Sequence, residues 1–240
     1  MSVENTPDNQ LLESEPAKLR ERSSFWFCAA PYFEPVLYFI PTIEQVETIE
    51  SSEPEFHDVK VLDSDGALIN EVQVNFVANK LGWLECEPLL ASCKFESGLR
   101  HGTIEVESPA GYIAKLGLVS NGQPLMFAPI KAMIKNVGEF FPVYYSSERK
   151  VYLALINRAD KEVTVRCRLV VQQRSPEIEV KLPAASSRVV SVWDSFSEAL
   201  EVGSKEGLLS YLRCSLKTDG EVSYALLEVQ ERRGELSFSM

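Results

Sequence analysis

The chain has 240 residues, 45% of them hydrophobic and 10% aromatic, which is enough to bury one large core or two smaller ones. Its 24 basic and 35 acidic residues give a net charge of -11, which argues against an electrostatic nucleic-acid binder and against docking on anionic membranes. No apolar run approaches the roughly 20 residues that span a bilayer, and the polar N-terminus has no signal-peptide core, so we expect a cytoplasmic protein.

The cysteine and histidine content limits the chemistry that the chain can perform. The five cysteines are odd in number and form no C-x-x-C pair, so we expect reduced, mostly buried thiols instead of a disulfide framework. Only two histidines are present, and the ligands of a zinc site would have to come from scattered positions. We therefore predict no metal and no cofactor.

The first part of the chain predicts an arm, two strands and an acidic loop. Residues 1–22 combine proline, serine and mixed charge, which is typical of a flexible arm. Residues 25–40 form two aromatic and apolar runs separated by a proline-containing break, which predicts two strands. The next stretch, 41–56, has no basic residue and carries five glutamates: Glu44, Glu47, Glu50, Glu53 and Glu55. A loop inserted into a rigid scaffold often carries binding specificity, so these glutamates are the candidate binding site, the alternative being a solvated loop packed on its own sheet.

The rest of the first half predicts strands and turns in a definite order. An alternating strand at 71–76 precedes Trp83, a helical turn at 85–91, a strand at 103–107, a glycine turn at 109–111 and a strand at 112–119. Asn121-Gly122 then predicts a hairpin to residues 125–127. Residues 129–137 are short and partly apolar, which predicts a linker between two modules that pack on each other.

The second half opens with the clearest pattern in the chain. Residues 151–156 are apolar, residues 157–161 have turn chemistry, and residues 163–169 alternate, which predicts an antiparallel hairpin with one solvated face. The order of the first half then recurs, with a strand at 177–182, Trp193, a helical turn at 194–200 and strands at 210–216 and 222–229. A closing hairpin through Arg233-Gly234 reaches residues 236–238.

This recurring order predicts an internal duplication, although two β-rich segments can also be aligned by chance. Short strands at regular spacing without a long helical pattern are typical of antiparallel sandwiches. We therefore predict an all-β protein with two tandem antiparallel β-sandwich domains, at 23–128 and 138–240, joined by the linker at 129–137.

The second half also resembles bacterial immunoglobulin-like sandwich repeats, in which an L-x-L-x-N strand leads to a turn, an alternating strand and a run of proline or small residues. Leu153, Leu155 and Asn157 carry the first part of this resemblance and residues 182–186 the second, while Pro41 stands at the asparagine position in the first half. Such modules serve as spacers and interaction surfaces. The resemblance therefore implies an immunoglobulin-like fold and no particular activity.

Charge distinguishes the two predicted domains. Residues 23–128 contain 15 acidic and 5 basic residues, whereas residues 138–240 contain 15 and 14. A surface as acidic as the first attracts basic partners and repels nucleic acid. The leading hypothesis is a non-enzymatic interaction or scaffolding protein whose acidic first domain recognises a basic protein partner. Exposed sheet edges or the aromatic N-terminal strand would also permit a homo-oligomer.

The sequence contains no G-x-S-x-G elbow, phosphate loop, H-E-x-x-H motif or dinucleotide fingerprint, and we predict no catalytic residue. His57 and Asp58 are interpreted as a surface pair, and His101 as an exposed loop residue. Residues 63–66, Asp-Ser-Asp-Gly, start like a calcium loop but lack its later glutamate, so we interpret them as a β-turn.

Two other functions stay open at this point. Glu85, Glu87 and Asp194 lie beside the corresponding tryptophans, and paired carboxylates in a groove between the domains would suit a hydrolase. A glycan-binding platform would need exposed rings from the aromatic residues near the N-terminus: Phe25, Trp26, Phe27, Tyr32, Phe33, Tyr38 and Phe39.

Overall fold

The computed structural model describes residues 19–30, 33–43, 53–96, 98–120, 123–127, 139–143, 149–170, 175–205, 212–230 and 235–239. These residues form an all-β protein of antiparallel sheets, which confirms the predicted fold class at this level. A 3-10 helix at Glu87–Leu90 and two short α-helices at Val192–Ser195 and Ser197–Lys205 interrupt the strands. All three fall at the predicted helical turns.

The strands divide into a first and a second half of the chain. The first half contains β1 Arg20–Ala29, β2 Glu34–Pro41, β3 Pro54–Leu62, β4 Leu68–Val77, β5 Gly82–Glu85, β6 Phe95–Glu96, β7 Leu99–Pro109, β8 Tyr112–Ser120 and β9 Gln123–Phe127. The second half contains β10 Glu139–Val143, β11 Arg149–Asn157, β12 Val163–Val170, β13 Glu177–Leu182, β14 Ser187–Ser191, β15 Leu212–Thr218, β16 Val222–Gln230 and β17 Glu235–Ser239. Strand β1 begins at Arg20, inside the segment predicted to be a flexible arm.

Four sheets result, which we number 1 to 4. Sheet 1 has the order β5-β2-β8-β9 and sheet 2 the order β1-β7-β3-β4, with β6 beside β7. Sheet 3 has the order β14-β11-β16-β17 and sheet 4 the order β10-β15-β12-β13. Apart from β6, the strand orders of the two halves correspond. Sheet 3 has the order of sheet 1 and sheet 4 has the order of sheet 2, with β10 to β17 in the places of β1 to β5 and β7 to β9. The predicted hairpins β8-β9 and β16-β17 are both present.

Each half packs one sheet on the other through the apolar side chains that alternate along its strands. In the first half, Phe27 and Ile104 of sheet 2 meet Leu37 and Leu116 of sheet 1 in one buried cluster. In the second half, alternate residues of β11 and β12 form a second cluster, which includes Leu155. Both halves are therefore two-layered, the arrangement that short alternating strands favour.

The predicted hairpin at 151–171 is wrong in one respect, because its two strands lie in different sheets. β11 pairs with β14 and β16 in sheet 3, whereas β12 pairs with β13 and β15 in sheet 4. β12 does have the predicted solvated face, since its buried and exposed residues alternate. A turn-rich segment between two strands fits a crossing from sheet to sheet as well as a hairpin, so local sequence does not distinguish them.

The buried amide of Asn157 organises this crossing. Asn157 is 1% exposed, and its Nδ2 atom donates to the carbonyl oxygens of Lys161 at 2.7 Å, Leu182 at 3.1 Å and Pro183 at 2.7 Å. Its Oδ1 atom accepts the backbone N–H of Ala159 at 3.0 Å. One side chain therefore satisfies backbone groups of both the β11-β12 crossing and the β13-β14 turn, groups that burial would otherwise leave unpaired.

Candidate interaction site at the junction of the two halves

The two halves meet where sheet 2 packs against sheet 3. Leu153 and Leu155 on one face of β11 belong to the core of the second half, whereas Tyr152, Ala154 and Ile156 on the other face belong to the cluster of the first half. All five side chains are buried. The sheets therefore stack in the order 1, 2, 3, 4, and the predicted contact between modules takes the form of one sheet face on another.

Strands β1 and β7 provide the other side of the junction. Trp26, Cys28, His101 and Thr103 alternate with the core residues of these strands, and they are 1% to 8% exposed. His101 is therefore a buried strand residue, and its prediction as an exposed loop histidine is wrong. The strand extends to Leu99, beyond the predicted start at residue 103, because the cross-strand pairing with β1 continues to Arg100.

His101 links the two halves through a chain of hydrogen bonds that runs from the Glu96 carboxylate through the His101 imidazole to the Ser187 hydroxyl. Its Nε2 atom lies 2.7 Å from Glu96 Oε2, and its Nδ1 atom lies 3.1 Å from Ser187 Oγ on β14. The carboxylate only accepts, so in the neutral imidazole Nε2 carries the proton and Nδ1 accepts the Ser187 hydroxyl. This order of groups is that of a serine hydrolase, but Ser187 is 1% exposed, so its oxygen is closed to a substrate. The chain of hydrogen bonds instead joins sheet 2 to sheet 3.

A second link is the turn that follows β3. The backbone N–H of Gly66 donates to the Asp63 carbonyl at 3.1 Å, and Asp63 Oδ1 accepts the backbone N–H groups of Asp65 and Ala67, each at 2.9 Å. These contacts define a β-turn, as predicted. Gly66 has φ +81°, and a Cβ there would fall 2.4 Å from the Ala185 carbonyl oxygen, so this position requires glycine both for its conformation and for the close approach of the second half.

Arg188 of β14 holds this turn. Its guanidinium donates to the Ser64 carbonyl at 2.9 Å and to Asp65 Oδ1 at 2.8 Å, and the backbone N–H of Ser187 also donates to the Ser64 carbonyl. The hydrogen bond from Arg188 is the main cause that lowers the pKa of Asp65. Since that pKa is lower in the folded chain, the stabilisation is present above the ordinary pKa of aspartate and is lost as the pH falls through the lowered value.

We expect the R188A variant to lower the free energy of unfolding by about 1 to 2 kcal/mol, because one buried carbonyl and one carboxylate lose a charged donor. The matched control is R166A, whose guanidinium lies 3.6 Å from Glu179 with both side chains at least half exposed. That exposed pair should contribute less than about 0.5 kcal/mol. Urea denaturation of the variants at neutral pH measures both, and equal losses would contradict the junction role of Arg188.

A groove of about 360 Å³ opens beside the junction, on the part of sheet 2 that sheet 3 leaves uncovered. Its lining comes from both halves and is almost entirely polar: Arg22, Ser23, Ser24, Asp58, Lys60, Glu71, Glu105, Val106, Glu107 and Arg158. Strands β1, β7, β3 and β4 supply all but Arg158, which lies in the β11-β12 crossing directly after Asn157. The groove is the candidate functional site.

Most charges in and beside the groove are already paired across the strands. Glu107 accepts from Arg22 at 2.9 Å, and Arg20, just outside the lining, lies 2.6 Å from Asp58. Lys60 Nζ lies 3.2 Å from the carboxylate of Glu71. Opposite charges on neighbouring strands of one face pair in this way because their side chains project side by side.

Glu105 and Arg158 remain as the two groove charges without an ion pair among the described residues. Glu105 is exposed in the centre of sheet 2, between Ser24 of β1 and Lys60 of β3 in register. Arg158 is also exposed and lines the groove from the second half. Within the described ranges, the groove therefore presents a carboxylate from the first half and a guanidinium from the second that are not in an ion pair. Neither Glu105 nor Arg158 was predicted from the sequence, although alternating charged residues such as those of β3, β4 and β7 are typical of a solvated sheet face.

Two of the five predicted binding glutamates, Glu53 and Glu55, are among the described residues, and neither lines the groove. Glu44, Glu47 and Glu50 lie outside the described residues. Glu53 directly precedes β3 and Glu55 is within it, so the predicted loop ends earlier than residue 56. Glu55 forms a hydrogen bond with Tyr112, whose pKa rises to about 12 through burial and this carboxylate, against the opposing backbone hydrogen bond with Asn79.

The three carboxylates considered for a hydrolase also lie away from the groove. Glu85 is exposed on β5, at the edge of sheet 1. Glu87 is held by Arg100 of β7, and Asp194 lies in the first short α-helix of the second half. None of the three lines the groove, whose carboxylates come from sheet 2. The structure thus gives these candidates no shared site among the described residues.

The aromatic residues near the N-terminus that the structure describes do not form an exposed platform. Phe25, Trp26, Phe27, Phe33 and Phe39 are at most 6% exposed. Tyr38 is partly exposed, and Tyr32 lies outside the described residues. Flat rings that stack on sugars must reach solvent, and the rings of this cluster are used for the core and the junction.

His57 is a core residue, so its interpretation as a surface pair with Asp58 is wrong. The two side chains do point to opposite faces of β3, as expected for neighbours on a strand. The ring of His57 is fully buried, with its centroid 4.5 Å from that of Phe39 and 4.9 Å from that of Tyr112. Burial is the main cause that lowers the pKa of His57 to about 4.

The four cysteines with described side chains are buried, as predicted, and are not in disulfides: Cys28, Cys86, Cys93 and Cys167. Burial raises the pKa of Cys86 to about 12. In the described ranges no group of three or more His, Cys, Asp or Glu side chains is placed to hold a metal ion. Within the same residues no helix is long and apolar enough to cross a membrane.

Comparison with known proteins adds no relative. No protein-family model matches the chain, and no curated protein sequence matches it. The groove and its charges therefore carry the functional proposal.

Proposed function

We propose that the protein is a non-enzymatic interaction protein built from two immunoglobulin-like sandwich modules that arose by duplication. The strand order of the two halves, which is the same apart from β6, supports the duplication. The neighbours of the first strand differ from those in antibody domains: β1 pairs with β7, and β2 pairs with β5 and β8, whereas the first two strands of an antibody domain pair with each other. The modules act as a rigid support for the groove that forms where they meet.

The partner in this proposal is a basic protein segment. The single observation that carries it is Glu105, an exposed carboxylate in a groove whose neighbouring carboxylates already have cations. A lysine or arginine of the partner would complete this set of pairs without leaving a buried charge unpaired. The surplus of acidic residues in the first half would accelerate the encounter through long-range attraction.

Arg158 would orient the bound segment. It lies on the second-half side of the groove, so a carboxylate next to the partner's basic residue would face it while the basic residue faces Glu105. The recognised segment would therefore be basic with one acidic group at a fixed end. A segment with the opposite order of charges would place like charges together, which is a repulsive contribution to specificity.

The test is binding of a fluorescent lysine-rich peptide with a free C-terminal carboxylate, followed by anisotropy at increasing salt. We expect E105Q to weaken binding by roughly threefold to tenfold, and affinity to fall as salt rises to physiological levels. The matched control is E85Q, which removes the same charge from the edge of sheet 1 outside the groove. R158Q should weaken binding of the free-acid peptide and leave binding of the C-terminally amidated peptide unchanged.

Binding that is indifferent to salt would overturn the electrostatic proposal. Equal effects of E105Q and E85Q would show that net charge alone attracts the peptide, and the groove would lose its role. Circular dichroism and a thermal melt of each variant verify that the sandwiches are intact, which is expected because both glutamates are exposed.

A further inference from the structure

β4 is a long edge strand whose outer side has no partner strand in the described part of the chain. It closes sheet 2 at the end opposite β1 and pairs with β3 alone. It runs for ten residues, from Leu68 to Val77. Every second backbone N–H and C=O of such a strand points away from the sheet, and these groups form a template for another strand.

The chemistry of β4 differs from that of β13, which holds the corresponding edge of sheet 4. β13 has six residues, and its outward positions are charged: Glu177, Glu179 and Lys181. Charges of this kind protect an edge from pairing. β4 is longer and has only one charged side chain, Glu71, which pairs with Lys60 at 3.2 Å as Glu177 and Glu179 of β13 pair with arginines of β12. The edge of the first half is therefore much less protected than its counterpart.

Exposed apolar side chains flank the same edge. Leu68 and Val77, at the two ends of β4, are 53% and 50% exposed. β5, the edge strand of sheet 1, lies beside β4, because a Cβ at Gly82 would fall 2.4 Å from the Phe76 ring. Leu81 and Trp83 on this side are 55% and 60% exposed. An unprotected edge with apolar flanks is typical of a surface that pairs with another chain.

We propose that β4 pairs with β4 of a second copy of this chain, antiparallel about a two-fold axis at Gln73, so that sheet 2 continues across a homodimer. In this register Gln73 faces its own copy and Glu71 faces Asn75, and each opposing pair lies on the same face of the strands. No like charges lie opposite each other. The amide of Gln73 faces the same amide of the second copy, and the amide of Asn75 faces the carboxylate of Glu71. The edge is thus complementary to itself, which selects a second copy over a partner of opposite charge.

Salt distinguishes this dimer from the binding of a basic partner. Each copy has a net charge of -11, so two copies repel at long range while the edge contact itself is nearly neutral. Raising the salt concentration should therefore increase the affinity of the dimer, whereas it should lower the affinity of the groove for the basic peptide. One proposal can fail while the other holds.

The test is sedimentation velocity of the full chain from micromolar to hundred-micromolar concentration, with the Q73K variant beside the wild type. We expect a wild-type dimer that tightens with salt, and a dissociation constant about tenfold higher for Q73K, since two lysines then meet at the axis. The lysine still reaches Asp58, which accepts from Gln73 at 2.8 Å, so the fold is retained. The matched control is E179K on β13, which should leave the dimer unchanged.

A second variant, Q73C, tests the register. Across a two-fold axis at position 73 the two new thiols face each other, and mild oxidation should give a disulfide-linked dimer, while the native cysteines with described side chains are buried. A wild-type chain that stays monomeric throughout the concentration range would overturn the proposal. A dimer that Q73K does not weaken and Q73C does not cross-link would also overturn it, because another surface would then form the dimer.

Discussion

The N157A variant should lose about 3 to 5 kcal/mol of unfolding free energy, the largest effect that we expect from a single polar side chain in the protein. Alanine removes the donor shared by the carbonyl oxygens of Lys161, Leu182 and Pro183, and the acceptor of the Ala159 N–H. Each buried backbone group left unpaired costs about 1 to 3 kcal/mol. Chemical denaturation at neutral pH measures the loss.

The N157D variant separates hydrogen bonding from volume. Aspartate has the shape of asparagine, but its carboxylate would face two or three carbonyl oxygens without a proton to donate. At neutral pH we expect N157D to be at least as unstable as N157A. If N157D retained most of the stability, the amide would matter only for packing, and its role in the crossing would be disproved.

The second large effect is a dependence of stability on pH that comes from His57. The ring is fully buried among Phe39, Phe76 and Tyr112, with Nδ1 3.0 Å from Ser108 Oγ. Its Nε2 atom has no hydrogen-bond partner in the part of the chain that the structure describes. Burial, aided by the charge of Arg20, lowers its pKa to about 4. The folded chain therefore keeps a neutral imidazole where the unfolded chain, with an ordinary pKa near 6.5, binds a proton.

The fold has its full stability above about pH 6.5, where the imidazole is neutral in both the folded and the unfolded chain, and it loses part of that stability as the pH falls to about 4. Between these limits the unfolded state binds more protons than the folded state, so acid favours unfolding. The shift corresponds to roughly 3 kcal/mol. Urea denaturation at steps between pH 7 and pH 4 should show the decline in the wild type.

The H57F variant keeps an aromatic ring in the same cavity and removes the titrating group. We expect its stability at pH 7 to stay within about 1 kcal/mol of wild type, because the ring contacts are retained and only the contact with Ser108 is lost. At pH 4 the free energy of unfolding of H57F, compared with wild type, should be higher by roughly 3 kcal/mol than the same comparison gives at pH 7. Parallel stability curves for the two proteins would exclude His57 as the source of the acid sensitivity.

Local sequence predicted the strands well, because the burial of a strand follows from its alternation. The segment 177–182 was predicted with the bounds that β13 has, and the closing hairpins β8-β9 and β16-β17 were also correct. The β-turn at 63–66 followed from its Asp-Gly chemistry. Its contact with Arg188 did not, because the two segments are far apart in the sequence and only the packing of the halves joins them.

The candidate site could not be predicted for the same reason. The acidic loop was predicted as a site because its charges are close together in the sequence, whereas the groove collects one to three residues from each of four strands and adds Arg158 from the other half. The predictions for the two histidines were wrong for a different reason. Their polar chemistry favoured the surface, yet His57 is enclosed by aromatic rings and His101 by the junction, where Glu96 and Ser187 satisfy it.

The short strands β5, β6 and β14 were not predicted, but most of the other strands, the repeated order of the two halves and the surplus of acid in the first half follow from the amino-acid sequence. These properties depend on alternation, turn residues and composition, all of which are local or additive. Tertiary structure alone decided that residues 151–171 cross between sheets, that sheets 2 and 3 stack, and which charges stay unpaired in the groove. Those outcomes depend on contacts between distant residues, because the burial of one sheet face by another selects them and no local pattern encodes it.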